Sequence, residues 1–133
     1  MVVEDDQLIG EMLTLKLNLA EYRVTLATPG EQAQSRLFEV MPALILLDVG
    51  LPDMSGFDVL AKVRKHRAFL NLPVIVLTAR HAADDVKRAI SLGANDYIAK
   101  PFEMSRLMKR IERALSATPP PRATQRRDDR FLI

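Results

Sequence analysis

Cysteine is absent from the 133 residues, so the chain forms no disulfide, offers no thiolate nucleophile and cannot build a cysteine-based zinc site. Histidine is scarce: His66 and His81 alone are too few for a histidine-rich metal centre. Long apolar runs are missing too. Those at residues 43–47 and 74–77 fall far short of a spanning helix or a secretory signal, and the expected compartment is the cytoplasm. A strong charge of either sign is also lacking, with 19 Lys and Arg against 17 Asp and Glu. Even the net charge of +2 lies in the tail, residues 117–133, which holds four of the arginines and two of the acids. The body, residues 1–116, is neutral and gives no reason to expect nucleic-acid contact by this domain.

What is present is one domain's worth of alternating pattern. Short β-rich runs at residues 1–3, 23–26, 43–47, 74–77 and 96–99 alternate with amphipathic stretches at 7–19, 29–40, 57–66, 82–92 and 103–115. Such alternation predicts an α/β fold, a (βα)5 doubly wound parallel sheet with helices on both faces. Leu8, Met12, Leu15 and Leu19 are the expected buried stripe of the first helix, Val86, Ala89 and Ile90 of the fourth, and Leu107, Met108, Ile111 and Leu115 of the last. Pro29 opens the second helix and Gly93 stops the fourth. The first strand is a stub, shorter than the usual ~5 residues, as though it began earlier. Residues 117–133, with Pro119, Pro120 and Pro121 and then a charged run, read as a stiff linker towards a further output domain. The closing Phe131, Leu132 and Ile133 suit the start of a further element.

In an open parallel sheet ligands bind beyond the carboxyl ends of the strands. There the chain places Glu4, Asp5 and Asp6 after the first strand, Asp48 after the third, Thr78 after the fourth and Lys100 followed by Pro101 after the fifth. Gathering Glu4, Asp5 and Asp48 is costly: at about 5 Å and an effective dielectric of about 20, each carboxylate pair repels by roughly 3 kcal/mol. Lys100 and a hard divalent cation with oxygen ligands would offset that repulsion. A carboxylate, a metal, an ammonium and a hydroxyl around one point make a phosphoryl site, with Asp48 as the nucleophilic acceptor. Each piece has a plainer reading: acids favour a helix N-terminus, with Asp6 as its cap, Thr78 suits a strand-end turn, and Lys100 suits an exposed loop. Asp53 and Asp58 suit a turn and a helix start, and His66 and His81 the surface.

The runs VVEDD (residues 2–6), LLDVGLPDMSG (46–56), VLTA (76–79) and GANDYIAKPF (93–102) resemble the receiver domain of bacterial two-component response regulators, in order and spacing. The resemblance implies a flavodoxin-like strand order of 2-1-3-4-5. It also implies that Asp48 accepts a phosphoryl group from a sensor histidine kinase or phosphotransfer protein, with Mg2+, or Mn2+ as a substitute. By the same resemblance Asp5 binds the metal directly, Glu4 largely through water, and the backbone carbonyl of Gly50 completes its protein ligands. Thr78 and Lys100 hold the phosphoryl group, Tyr97 is the switch aromatic, and the Lys100–Pro101 bond is cis. Phosphorylation then reshapes the face made by the fourth helix, fifth strand and fifth helix, which acts on an output domain or partner, or forms a phosphorylation-dependent homodimer. Ser91 departs from the pattern of winged-helix regulators, which carry an acid there.

Two other functions fit the fold. An aspartyl-nucleophile phosphohydrolase of the haloacid-dehalogenase type would want a second acid two residues after Asp48, where Gly50 stands. A flavodoxin-like nucleotide module would want a phosphate loop after the first strand, where Glu4–Asp6 would repel phosphate. A slowly self-dephosphorylating acceptor domain, rather than an enzyme, is the expectation. Gly50 and Arg80 flank the acceptor at the positions that govern water access in the family.

Overall fold

The computed structural model describes residues 1–27, 31–50, 56–79 and 83–117. Pro29, Asp53, Arg80, His81 and the tail from residue 118 lie outside that description. Five parallel strands, β1 (Val2–Val3), β2 (Leu26–Ala27), β3 (Ile45–Leu47), β4 (Val74–Thr78) and β5 (Asp96–Ala99), form one sheet in the order β2-β1-β3-β4-β5. The helices are α1 (Gln7–Leu19), α2 (Glu31–Val40), α3 (Gly56–Lys65), α4 (Ala83–Ser91) and α5 (Met104–Ala117), with a single 3-10 turn at Arg67–Phe69. The predicted (βα)5 architecture and strand order are those observed.

Strand periodicity splits the core into two layers. Val3, Leu47, Val74 and Val76 face α2, α3 and α4, meeting Leu37, Val59, Leu60, Val63 and Ala89. Val2, Leu46, Ile75 and Leu77 face α1 and α5, meeting Leu13, Leu17, Leu107 and Ile111. The central strands are therefore apolar on both sides, as their unbroken sequences required. The polar β5 lies at one edge and pairs only with β4.

Three expectations need correction. The inward face of α1 is Gly10, Leu13 and Leu17, with Ile9 packed beside them, while Leu8, Met12, Leu15 and Leu19 are exposed by 78%, 38%, 60% and 72%. The helix carries apolar residues on two faces, and Gly10 decides between them: a Cβ there would stand 3.2 Å from two Leu26 side-chain carbons, so this is the side that approaches β2. In α4 the buried contact narrows to Ala89, with Val86 half-buried and Ile90 exposed, because the helix lies over the sheet's edge. The second strand pairs at Leu26–Ala27 rather than 23–26, since two-residue β1 offers only Val2 and Val3 as partners.

The start of α1 and the stop of α4 follow local rules. The Asp6 side chain caps α1 by accepting from the Ile9 N–H at 3.1 Å. Gly93 has φ of +104°, a conformation that strains any residue with a Cβ.

Candidate functional site

Register brings the strand-end residues together. Val3 pairs with Leu47, and the Asp48 N–H donates to the Val3 carbonyl at 3.0 Å, so Glu4 and Asp48 emerge side by side. On the other flank Thr78 pairs with Ala99, and the Lys100 N–H donates to the Thr78 carbonyl at 2.9 Å. The Lys100 side chain reaches back across the sheet. Its ammonium donates to Glu4 Oε1 and Oε2 at 2.9 and 2.8 Å and to Asp48 Oδ2 at 3.1 Å. Residues 96 and 52 positions apart in the chain thus share one ion cluster.

The cluster is largely dry: Glu4, Asp48 and Thr78 retain 4%, 9% and 1% of their exposure. Charges so placed need partners. Glu4 Oε1 also accepts from the Asp6 N–H at 3.2 Å, and Asp48 Oδ1 accepts from the Gly50 N–H at 2.8 Å. Burial pushes the Glu4 carboxyl above its ordinary pKa, partly countered by Lys100, while the nearby Asp48 charge adds to the rise. Burial works against the Lys100 ammonium, but its hydrogen bonds to Glu4 and Asp48 and their charges outweigh it, so its pKa rises.

Two glycines shape the surroundings. A Cβ at Gly50 would lie 3.3 Å from Asp48 Oδ1 and 3.7 Å from Thr78 Oγ1, which locates the carboxylate and the hydroxyl on the same small space beside an exposed backbone. A Cβ at Gly56 would stand 2.3 Å from Val49 Cα and 2.4 Å from the Asp48 carbonyl oxygen. Only glycine lets α3 begin directly beneath the end of β3. Patterning alone marks Gly56 as punctuation; its role against Asp48 is visible only in three dimensions.

Asp5 is exposed, as expected when consecutive side chains at a strand end alternate. Glu4 is held by Lys100 instead of standing free beside Asp5, and among the described residues no three acidic or histidine side chains group closely enough to cage a metal ion. The donor set still fits Mg2+. That ion takes one or two carboxylates, keeps several waters and bridges to phosphate oxygens rather than using an all-protein cage. Tyr97 on β5 is half-buried against the α2–α3–α4 layer. The Lys100–Pro101 peptide bond is cis.

A family model described as "Response regulator receiver domain" matches residues 1–112. The chain belongs to this family. Similar proteins include the uncharacterized transcriptional regulatory protein YkoG of Bacillus subtilis, 41% identical over 115 residues, 86% of this chain and 50% of YkoG. The Staphylococcus aureus transcriptional regulatory protein KdpE is 38% identical over 111 residues, 84% of this chain and 47% of KdpE. The receiver chain spans about half the length of these curated relatives. The non-phosphorylated HemR receiver domain from Leptospira biflexa shares the fold with a TM-score of 0.83 and 36% identity, covering 90% of this chain and 95% of that one. This chain is thus a receiver domain of the two-component response regulators, a signalling module rather than a classical enzyme. No helix among its described residues is long and apolar enough to cross a membrane.

Proposed function

We propose that this receiver domain accepts a phosphoryl group on Asp48 from a sensor histidine kinase or phosphotransfer protein and uses it to switch the α4–β5–α5 face. The observation that carries the reading is the Lys100 ammonium shared between Asp48 Oδ2 and both Glu4 oxygens. A buried ammonium held on the acceptor carboxylate is placed to neutralise phosphoryl oxygens as they arrive. A carboxylate oxygen of Asp48 attacks the donor phosphorus, the P–N bond to the donor imidazole breaks, and an acyl phosphate remains. Thr78, whose hydroxyl shares space with Asp48 Oδ1, hydrogen-bonds the new group together with Lys100.

Glu4, Asp5, Asp48 and the Gly50 carbonyl would hold Mg2+, or Mn2+ in its place. Bound there, the ion screens the carboxylates and the incoming phosphoryl oxygens from one another. The phosphate adds about −1.5 to −2 charges, which draws Thr78 and Lys100 towards Asp48. Both residues join β5 through the Thr78–Lys100 backbone bond, so Tyr97, α4 and α5 respond. The changed face controls an output domain beyond the 117–133 linker, or pairs with a second copy. Any DNA contact belongs to that output domain, in keeping with the names of the regulators this chain resembles. Such a module acts in the cytoplasm, and Gly50 leaves one side of Asp48 open to the water that slowly removes the phosphate.

The exposed α1 stripe supports a helical phosphoryl donor. Leu8, Met12, Leu15 and Leu19 follow the 4-3-4 spacing that seats against another helix, and the stripe starts one turn from Asp5. Incubation with acetyl phosphate and Mg2+, followed by intact-mass measurement, tests the central claim. The wild type gains one phosphoryl mass and Asp48→Asn none; an unmodified wild type under saturating donor overturns it.

A further inference from the structure

At the end of the sheet opposite Asp48 lies a second polar concavity, a cavity of about 570 Å3 between the C-terminal ends of α3, α4 and α5 and the start of β5. That volume is within the usual range for small-molecule sites. Arg64, Arg110, Arg113, Asn71, Asn95 and Asp96 supply its polar wall, and Leu70, Ala114 and Ala117 an apolar one.

The wall is rich in donors and short of acceptors. Arg64, half-buried, donates from Nε and Nη2 to the Gly93 carbonyl at 3.1 and 2.8 Å, from Nη1 to the Phe69 carbonyl at 2.7 Å and from Nη2 to Asn95 Oδ1 at 3.0 Å. All these acceptors are neutral, so they fix the guanidinium without balancing its charge. Asn95 Oδ1 accepts a second bond from the Val74 N–H at 2.8 Å, which spends the oxygen and leaves the amide NH2 as what Asn95 can offer a ligand. Asp96, the cavity's one carboxylate, is engaged by Arg110 at 2.6 and 2.8 Å and by its neighbour's Tyr97 N–H. Among the described residues the Arg113 side chain makes no hydrogen bond or ion pair. Three guanidinium groups against one carboxylate leave two positive charges around a preformed concavity. Burial lowers the Arg64 pKa, as expected for a cation whose charge lacks a partner.

We infer that this basal cavity binds a small organic oxyanion, carrying two phosphate or carboxylate charges, between Arg64, Arg113 and the Asn95 amide. The donors left over, one Arg64 N–H, the Arg113 guanidinium and the Asn95 amide, call for an acceptor, and the volume suits a compact dianion. A bound dianion would bridge the Arg64–Gly93 turn to Arg113 of α5, and so bias the seat of α5 from the end of the domain remote from Asp48.

The test is titration of the intact chain with glycerol 3-phosphate and, separately, with succinate, both dianions at about pH 7.5, without divalent cations, while following backbone amide resonances. Shifts should centre on Gly93, Asn95 and Ala114, saturate, and persist in Asp48→Asn, which separates this site from the phosphoryl-acceptor reading. The exposed Arg113→Glu reverses a charge without touching the core, and should weaken binding by at least about tenfold, the scale of one charge-assisted hydrogen bond. Arg113→Lys should retain most of it. Saturation by glycerol 3-phosphate alone assigns a phosphate ligand, and by succinate alone a carboxylate. Absence of saturable shifts with either anion, or affinity unchanged by Arg113→Glu, overturns the inference. Binding of an oligoglutamate peptide with neither small anion bound would also overturn it, in favour of a protein-docking surface.

Discussion

Replacing Lys100 with methionine keeps the bulk of the stem and removes the ammonium that three carboxylate oxygens accept from at 2.8 to 3.1 Å. At an effective dielectric of about 20, each of the two ion pairs, Lys100 with Glu4 and Lys100 with Asp48, is worth roughly 5–6 kcal/mol of Coulomb attraction, most of it offset by the cost of drying three charges. Water cannot take the ammonium's place easily, since the side chains of Lys100, Glu4 and Asp48 are 13%, 3% and 12% exposed. Breaking an ion pair this buried costs about 3–5 kcal/mol. We expect a loss in that range at about pH 7.5 in urea titrations without divalent cations. It should shrink on acidification. Burial already raises the Glu4 pKa and Lys100 restrains it, so Lys100→Met raises it further. An acid whose folded pKa is raised weakens the fold at pH above its unfolded value, and the weakness is relieved as pH falls through the folded value. The raised pKa of Lys100 has the opposite placement. Its stabilisation of the wild type is fully present below the unfolded lysine value and fades only as pH rises through the folded one. Between about pH 5 and 8 the difference between the proteins therefore titrates with the Glu4 carboxyl. A penalty under about 1 kcal/mol, the scale of a surface ion pair, or one equal at both ends of that range, would refute the reasoning.

Mg2+ at ten times its dissociation constant should stabilise the wild type by about 1.4 kcal/mol, read as a shift in urea midpoint, and should lose that effect in Asp5→Asn. Gly56→Ala should cost at least about 3 kcal/mol, because the added carbon meets the Val49 Cα at 2.3 Å; a loss under about 1 kcal/mol would show that α3 can shift freely. Leu15→Glu, at a position 60% exposed, should leave stability within about 0.5 kcal/mol and acetyl phosphate labelling unchanged, yet slow transfer from the cognate kinase. Gly93→Ala should lose about 1–3 kcal/mol, since φ is +104° and the new carbon would lie 2.8 Å from Arg64 Nε.

The strand-end cluster was legible because it depends on which residues follow apolar runs, and a parallel sheet delivers all strand ends to one edge. Asp48, Thr78 and Lys100 could be named that way. What could not be read was how the charges divide among themselves. Lys100 spends two of its three hydrogen bonds on Glu4, so the resting site is a closed ion cluster rather than an open acidic cage. The inward face of α1 was illegible for a different reason. Two apolar stripes share one helix, and a hydrophobic period carries no sign that says which faces the sheet. Gly10 marked the inward side, because Leu26 packs closely over the space where a Cβ would stand. Arg64, too, looks like any solvated helix arginine until the chain folds and sets Gly93 and Asn95 against it.

The two ends of β5 hold opposite charge arrangements, and that asymmetry limits how a signal can travel. At its carboxyl end Lys100 is claimed by two acids, so a phosphoryl group arriving on Asp48 changes the partners available to a cation fixed to the strand. At its amino end Asp96 is claimed by Arg110 of α5 at 2.6 Å, which ties the same strand to the helix beside it. Among the described residues β5 pairs only with β4, unlike the central strands that neighbours hold on both sides. On the proposed function, a redistribution of charge at Lys100 would therefore meet the least resistance along β5, and α5 would move with it through Asp96 and Arg110. On this view Asp96→Asn should leave phosphorylation of Asp48 intact while uncoupling α5. Amide resonances of α4 and β5 would shift on acetyl phosphate treatment and those of α5 would not. Equal shifts in all three elements would place the coupling in the apolar contacts of Leu107 and Ile111 instead.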